Sequence, residues 1–249
     1  MILGIIPARF ASTRFPGKAL IDIQGKSMIQ RVYEQAAKSK NLAKVVVATD
    51  DERIADHVQK FGGECVLTHS DHASGTDRCF EALKKIKGNY ESVMNIQGDE
   101  PFINPAQIDL LAQTLNQPDT ELATLVIPVD SHELLFSDGE VKVVLNAKME
   151  ALYFSRMVIP FIKGVEQKLW HKQFPYYRHV GMYAYRNDIL EKITKLKPSL
   201  LEKAESLEQL RWLENGYRIK TAVTLHESHC IDTPEDLERV LKLVSSNNL

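Results

Sequence analysis

The chain has 249 residues, with 31 Lys and Arg against 33 Asp and Glu, so its net charge of −2 offers no global basic field for nucleic acid or an anionic membrane. Cys65, Cys79 and Cys230 are an odd, scattered set, which argues against a disulfide framework and fits a reducing, cytoplasmic compartment. The start lacks the charged region and small-residue cleavage site of a signal peptide, and no apolar run approaches the ~20 residues of a membrane span, so one large soluble domain is expected.

Ile2, Leu3, Ile5 and Ile6 form a nearly continuous apolar run, the pattern of a strand buried on both faces of a parallel sheet. It stops at Pro7. The loop that follows carries Arg9, Ser12, Thr13, Arg14 and Lys18, interrupted by Pro16 and Gly17. Cations and hydroxyls at the carboxyl end of a central strand suit a polyphosphate, which needs several donors to offset several negative charges.

Met28, Ile29, Val32, Tyr33 and Ala36 recur at helical spacing, and Lys44 to Thr49 reads as a second buried strand. Ile54, Ala55, Val58 and Phe61 mark a helix stopped by Gly62 and Gly63, before a short strand from Glu64 to Leu67. The polar loop from Thr68 to Arg78 reads as a Ser or Asx turn capping the next helix. Ser92 to Ile96 is a fourth strand, Pro105 opens a helix through Leu115, and Ala123 to Pro128 is a fifth strand. This alternation predicts a doubly wound, mostly parallel α/β sheet with its nucleotide site on the carboxyl edge. No G-x-G-x-x-G or Walker sequence occurs, which sets aside the dinucleotide and P-loop readings.

Gln97, Gly98, Asp99 and Glu100 follow the fourth strand, a natural place for a carboxylate that holds Mg²⁺ against phosphates, although a lone Asp after a strand is more often a helix cap or turn residue. From Val141 the chain becomes β-rich, and the connection Phe161 to Tyr177 is long enough to be either functional or poorly ordered. In the strand His179 to Tyr185, period 2 puts His179, Gly181, Tyr183 and Tyr185 on one face and Val180, Met182 and Ala184 on the other. Ser199 and Glu202 form a capping box for a single helix through Leu213, ended by Asn215 and Gly216, with Glu208, Gln209 and Arg211 off its apolar stripe and open to a solvated-face reading. Tyr217 to Leu225 alternates like a strand. Asp232 followed by Pro234 reads as the N-cap of a final helix to about Val244. His226, His229 and Cys230 lack a fourth ligand at zinc spacing, which disfavours zinc.

The segment IPARFASTRFPGKAL, Ile6 to Leu20, resembles the amino-terminal signature of cytidylyltransferases that activate acidic sugars, most closely the 3-deoxy-D-manno-octulosonate (Kdo) cytidylyltransferases. The resemblance continues through NIQGDEP at Asn95, YFSRMVIP at Tyr153, HVGMYAY at His179, SLEQLRWLENG at Ser206 and DTPEDLERV at Asp232. It implies a nucleotide-diphospho-sugar transferase-like fold, the reaction of CTP with Kdo to CMP-Kdo and pyrophosphate for lipopolysaccharide synthesis, an Mg²⁺ requirement and a homodimer. It also implies site residues. Lys18, Arg14 and Asp99 would be catalytic, with Arg9, Ser12, Ser74, Gly75, Arg78 and Gln97 joining Arg14 and Lys18 on the nucleotide. Arg156, His179, Tyr183, Glu208 and Gln209 would meet the sugar, and Asp99 with Asp232 would hold the metal. The expected organisation is a single domain, with a CTP core at 1–130, a β-rich sugar and dimer region at about 131–190, and completing elements at 191–249. Related readings are 8-amino-Kdo or N-acylneuraminate as the sugar, and a non-catalytic nucleotide-binding regulator.

Overall fold

Strand β1 (Ile2–Ala8) is buried along nearly its whole length, as its apolar run requires. In the computed structural model, which describes residues 1–11, 15–227 and 229–245, β1 is followed by a 3₁₀ turn at Lys18–Leu20 and a small antiparallel pair, β2 (Asp22–Ile23) and β3 (Lys26–Ser27). Helix α1 (Met28–Ala36) is capped by the Ser27 side chain, which accepts from the Gln30 N–H. Next come β4 (Leu42–Thr49), α2 (Glu52–Lys60), β5 (Cys65–Leu67), α3 (Gly75–Lys85), β6 (Ser92–Asn95) and α4 (Pro105–Leu115). Strands β1, β4, β5 and β6 and helices α1, α2 and α4 sit where the sequence pattern placed them, with ends moved by at most a few residues; α3 begins at Gly75, inside the expected capping loop, and β2 and β3 were not expected.

By compactness the chain divides into two units, Met1–Ala112 with Ser228–Leu249, and Gln113–Glu227. In the first, β1 pairs in parallel with β4 on one side and β6 on the other, and β4 pairs in parallel with β5. The order β5-β4-β1-β6 reverses direction at β1, so the crevice between the carboxyl ends of β1 and β6 is a topological switch point, where open α/β sheets bind ligands. The winding is double. Ile6 and Pro7 point to opposite faces of β1. Gly98 sits among Ile6 and Ile29 of α1, whereas Gly75 of α3 lies against Pro7.

The second unit contains β7 (Leu122–Pro128), α5 (His132–Phe136), β8 (Lys142–Leu145), β9 (Ala151–Ser155), α6 (Trp170–Gln173), β10 (Tyr177–Arg186), α7 (Asn187–Ile193), α8 (Leu200–Glu205), α9 (Gln209–Glu214) and β11 (Lys220–Val223). Its strands run mainly antiparallel: β10 pairs with β7 and β8, and β8 pairs with β9, while β11 pairs with β7 in parallel. The long connection before Tyr177 is folded. It holds a 3₁₀ turn at Gln167–Leu169 and α6, whose Trp170 packs in a buried cluster with Val129, Leu135 and Tyr176.

The last helix, α10 (Pro234–Ser245), belongs to the first unit, where Val240 and Ile231 pack with Ile23 and Met28. These bounds differ from the expected segments 1–130, 131–190 and 191–249, because β7 takes β10 and β11 as its partners and α10 returns to the first unit.

Two helical expectations need correction. The single helix expected from Ser199 to Leu213 is broken into α8 and α9 by Ser206, which adopts a left-handed conformation with φ 54°. The capping box that opens α8 is present, with Ser199 accepting from the Glu202 N–H and Glu202 accepting from the Ser199 N–H. The strand expected over Tyr217 to Leu225 is shorter, Lys220–Val223.

Candidate active site

The loop after β1 returns on itself, with the Gly17 N–H donating to the Phe10 carbonyl at 2.9 Å. Gly17 has φ 72°, a left-handed conformation that only glycine adopts without strain, and it starts the turn that carries Lys18. Ser12, Thr13 and Arg14 lie outside the described residues. Arg9 is exposed directly beyond β1.

Lys18 donates to Asp99 Oδ2 and to Asp232 Oδ1, both at 2.7 Å, and its Nζ lies 3.4 Å from the Ile231 carbonyl oxygen. All three charged side chains are largely buried. Burial acts to lower the Lys18 pKa, but the two facing carboxylates more than offset this and hold it raised, so the ammonium form persists. Asp99 lies in the segment after β6 and Asp232 in the segment just before the last helix. Gly98 lets the segment after β6 approach β1 so closely that a Cβ there would stand 2.8 Å from the Pro7 carbonyl oxygen. The Asp99 carbonyl then accepts the Ile231 N–H at 2.9 Å, which sets the neighbouring Asp232 beside it.

Asp232 is not the cap of α10. Thr233 accepts from the Asp236 N–H, while the Asp236 carboxylate accepts from the N–H groups of Asp232 and Thr233. This reciprocal cap leaves the Asp232 carboxylate directed at Lys18, so the N-cap reading of its sequence is corrected.

The other nucleotide candidates lie on the same unit. Ser74 caps α3, its hydroxyl accepting from the Asp77 N–H, and Gly75 opens that helix beside Pro7 and Asn95 at the ends of β1 and β6. Gln97 is half-buried just past β6. Arg78 is buried and turned toward the carboxyl ends of β4 and β5, donating to Thr68 Oγ1 at 2.6 Å and facing Asp50 at 3.4 Å. Burial pushes its pKa down, Asp50 opposes that shift, and the nearby Arg9 adds to it. Arg78 is thus committed to holding the strand ends.

The sugar candidates lie on the second unit. His179 Nε2 is 3.0 Å from Thr124 Oγ1, and the Thr124 hydroxyl has the Met182 and Val180 carbonyls as its acceptors, at 2.7 and 3.1 Å. The hydroxyl proton is therefore spent on a carbonyl, and His179 must donate from Nε2, leaving Nδ1 as an acceptor. Burial pushes the imidazole down to about 3, so it is neutral at physiological pH. The His179 and Tyr183 rings are 5.1 Å apart and Tyr183 stacks on Tyr185 at 6.0 Å, so the expected shared face exists despite a register shift between Val180 and Tyr183. The Tyr183 hydroxyl is buried with no hydrogen-bond partner among the described residues; burial, then Tyr185 and Glu208, push its pKa up.

Glu208 occupies the cap position of α9 and Gln209, its first residue, is buried. The solvated-face reading fails for Gln209 and Arg211, which are both buried; Arg211 grips the Glu202 carboxylate through two nitrogens at 2.8 and 2.5 Å. Arg156 donates from Nε to the Glu205 carbonyl at 3.0 Å and from Nη1 to the Asp138 carbonyl at 3.3 Å.

The cytidylyltransferase family model matches residues 3–221. The 3-deoxy-manno-octulosonate cytidylyltransferase of Cytophaga hutchinsonii is 56% identical over 240 residues, 96% of each chain, and that of Parabacteroides distasonis is 52% identical over 248 residues, 98% of each. The solved structure of CMP:2-keto-3-deoxy-manno-octonic acid synthetase complexed with CTP is 42% identical and covers 99% of each chain with a TM-score of 0.91. The chain belongs to the 3-deoxy-manno-octulosonate cytidylyltransferase family.

In this member of the family the carboxylates of Asp99 and Asp232 already share one cation, the Lys18 ammonium, and hard oxygen donors of this kind fit a hard divalent ion. The sequence pattern singles out Cys230 only as a disfavoured zinc ligand. Its sulfur, Asp99 and Asp232 lie within 4.8 Å of one another. Burial, reinforced by Asp99 and Asp232, pushes the thiol pKa up, and a soft protonated sulfur does not suit Mg²⁺. The proximity was legible: residues two apart in an extended segment share a side, and Cys230 precedes Asp232 by two. Asp50, Thr68, Thr124 and Glu205 carried no comparable signal.

Proposed function

We propose that this enzyme transfers the cytidylyl group of CTP to Kdo, giving CMP-Kdo and pyrophosphate, the activation step that supplies lipopolysaccharide synthesis. The observation that carries the reading is the Lys18–Asp99–Asp232 cluster at the switch point of a chain in this family. The anomeric 2-hydroxyl of Kdo attacks the α-phosphorus; a new O–P bond forms, the bond to the pyrophosphate oxygen breaks, and the hydroxyl proton is released. Such transfers depend on positioning and charge neutralisation.

Lys18 is suited to donate to phosphate oxygens, because its ammonium is held charged and its position is fixed by two carboxylates. Arg9 and Arg14 supply further charge, and Ser12, Ser74, Gly75 and Gln97 line the nucleotide in this reading, with Arg78 bracing the strand ends beneath. Asp99 and Asp232 are the ligands we assign to Mg²⁺, which when bound would neutralise phosphate charge and acidify the attacking hydroxyl. Neutral His179, the unpartnered Tyr183 hydroxyl, Arg156, Glu208 and Gln209 offer the mixture of donors and acceptors that an acidic sugar needs.

We further read the enzyme as a homodimer working in the cytoplasm, where CTP is made. Met157 and Phe161 are 74% and 72% exposed in the β-rich unit, which favours a covered face there. Among the described residues no helix is long and apolar enough to cross a membrane, and the three cysteines are free.

Pyrophosphate release from CTP with a panel of Kdo, 8-amino-Kdo and N-acetylneuraminate tests the reaction; turnover with none of them, or with N-acetylneuraminate in preference, overturns it. Gln209→Ala and Glu208→Ala should raise KM for the sugar while leaving that for CTP within about threefold. Sedimentation at micromolar concentration tests the dimer, which a single species of 28.3 kDa would rule out.

A further inference from the structure

We propose that Glu205 is the positioning residue for sugar recognition, locking Arg156 at the end of β9 to the start of α9 so that Arg156, Glu208 and Gln209 meet the sugar as one unit. This rests on the reading above that those three residues bind it.

Glu205 is the last residue of α8, directly before the left-handed Ser206 that turns the chain into α9. Its carboxylate takes two donors from the end of β9: Ser155 Oγ at Oε1, 2.7 Å, and the Arg156 N–H at Oε2, 2.9 Å. Its own carbonyl accepts Arg156 Nε at 3.0 Å. One residue therefore fixes both the backbone and the guanidinium of Arg156. The clasp extends further, because Ser155 Oγ also accepts the Met157 N–H at 3.0 Å.

What Glu205 is attached to is itself rigid. The capping box fixes the start of α8, and the two-nitrogen grip of Arg211 on Glu202 ties α8 to α9 across the Ser206 turn. Leu207 N–H closes that turn on the Glu202 carbonyl at 3.2 Å. With Nε and Nη1 of Arg156 placed on the Glu205 and Asp138 carbonyls, the plane of its guanidinium is set, and among the described residues Nη2 has no partner. A planar, permanently charged fork with one orientation is what selects a carboxylate over a neutral sugar. An acceptor at Glu205 is required for this: Ser155 is buried, and Ala at position 205 would strand its hydroxyl and the Arg156 N–H together.

The test is steady-state kinetics with CTP and Kdo, alongside thermal midpoints, for Glu205→Ala, Glu205→Gln, Ser155→Ala, Arg156→Ala and Gln209→Ala. Glu205→Ala should raise KM for Kdo about tenfold while KM for CTP stays within about threefold. Glu205→Gln keeps one acceptor oxygen and should fall between that variant and the wild type. A parallel rise in both KM values overturns the proposal by making Glu205 mere scaffold. It is also overturned if KM for Kdo is unchanged in Glu205→Ala while Arg156→Ala and Gln209→Ala raise it, an outcome that leaves the sugar reading standing. If those two variants also leave it unchanged, the sugar reading fails and this proposal fails with it. Should Glu205→Ala not fold, Glu205→Gln and Ser155→Ala decide by the same split.

Discussion

Lys18 Nζ stands 2.7 Å from Asp99 Oδ2 and an equal 2.7 Å from Asp232 Oδ1, so one ammonium holds two carboxylates that would otherwise repel. Removing it takes away a phosphate donor and leaves two like charges facing each other. We expect Lys18→Ala to lose roughly tenfold to a hundredfold in kcat/KM for CTP, the range for one charge-assisted contact of about 1.5–3 kcal/mol. Wild-type CTP kinetics in that variant would reduce the cluster to a structural ion pair.

The same pair should govern the metal requirement. Exhaustive chelation is expected to stop turnover, and Mg²⁺ to restore it. Asp99→Asn should keep the fold, read as an unchanged far-UV spectrum, and bind Mn²⁺ more weakly by paramagnetic relaxation. Full activity in chelator would sink the assignment of Asp99 and Asp232.

Gly98→Ala tests the close approach of the segment after β6 to β1. Its Cβ would press on the Pro7 carbonyl oxygen, a backbone atom that cannot swing aside. We expect a thermal midpoint lower by several degrees, in line with the ~1–3 kcal/mol cost of overpacking, and a larger loss in kcat as Asp99 shifts. A variant equal to wild type in both would mean that the strand end yields freely.

Thr233 and Asp232 separate cap from site. Thr233→Ala should cost ~1 kcal/mol of stability, about 2–4 °C in a chain of this size, with activity largely kept. Asp232→Asn should do the reverse. Destabilisation by the Asp232 change alone would return that residue to the cap.

Acid should destabilise the fold in two windows. His179 is held at about 3, below its ordinary 6.5, so in the unfolded chain it takes up a proton first, and the stability present above about 6.5 is lost as pH falls toward 3. Burial acts to raise the Glu81 pKa, but Lys85, the His69 N–H and His72 outweigh it and hold it at about 2, below the ordinary 4.5. Its contribution is complete above about 4.5 and fades toward 2. The urea midpoint should therefore drop between pH 7.5 and 5, and by less in His179→Gln. A pH-independent midpoint over that interval would contradict the buried neutral imidazole.

The sequence made the alternating strands and helices of the first unit readable, because Ile2–Ile6 and the apolar run in Lys44–Thr49 are buried on both faces and leave little to long-range context. Asp99 and Lys18 were readable as chemistry at strand ends. Their meeting with Asp232 was readable only through the family resemblance, since nothing local says that Thr233 rather than Asp232 will cap α10. The break at Ser206 was equally hidden: the apolar spacing continues through it, and a serine in a left-handed conformation leaves no mark in periodicity. Arg78 and Arg211 have the composition of surface cations, and only tertiary partners, Thr68 with Asp50 and Glu202, explain their burial.

The contacts of Lys18 also carry a timing. Its two partners lie 81 and 214 positions away in the chain, so the first carboxylate is synthesised well before the second. A nascent chain can lay down β1, β4, β5 and β6 and bring Lys18 to Asp99 while the ribosome is still at work. The second carboxylate arrives only when α10 emerges and packs on Ile23 and Met28. Contacts of such long range form late because loop closure must precede their reward. On the roles proposed for Asp99 and Asp232, the nucleotide centre is therefore incomplete until the segment that carries Asp232 has been made and has packed against the first unit.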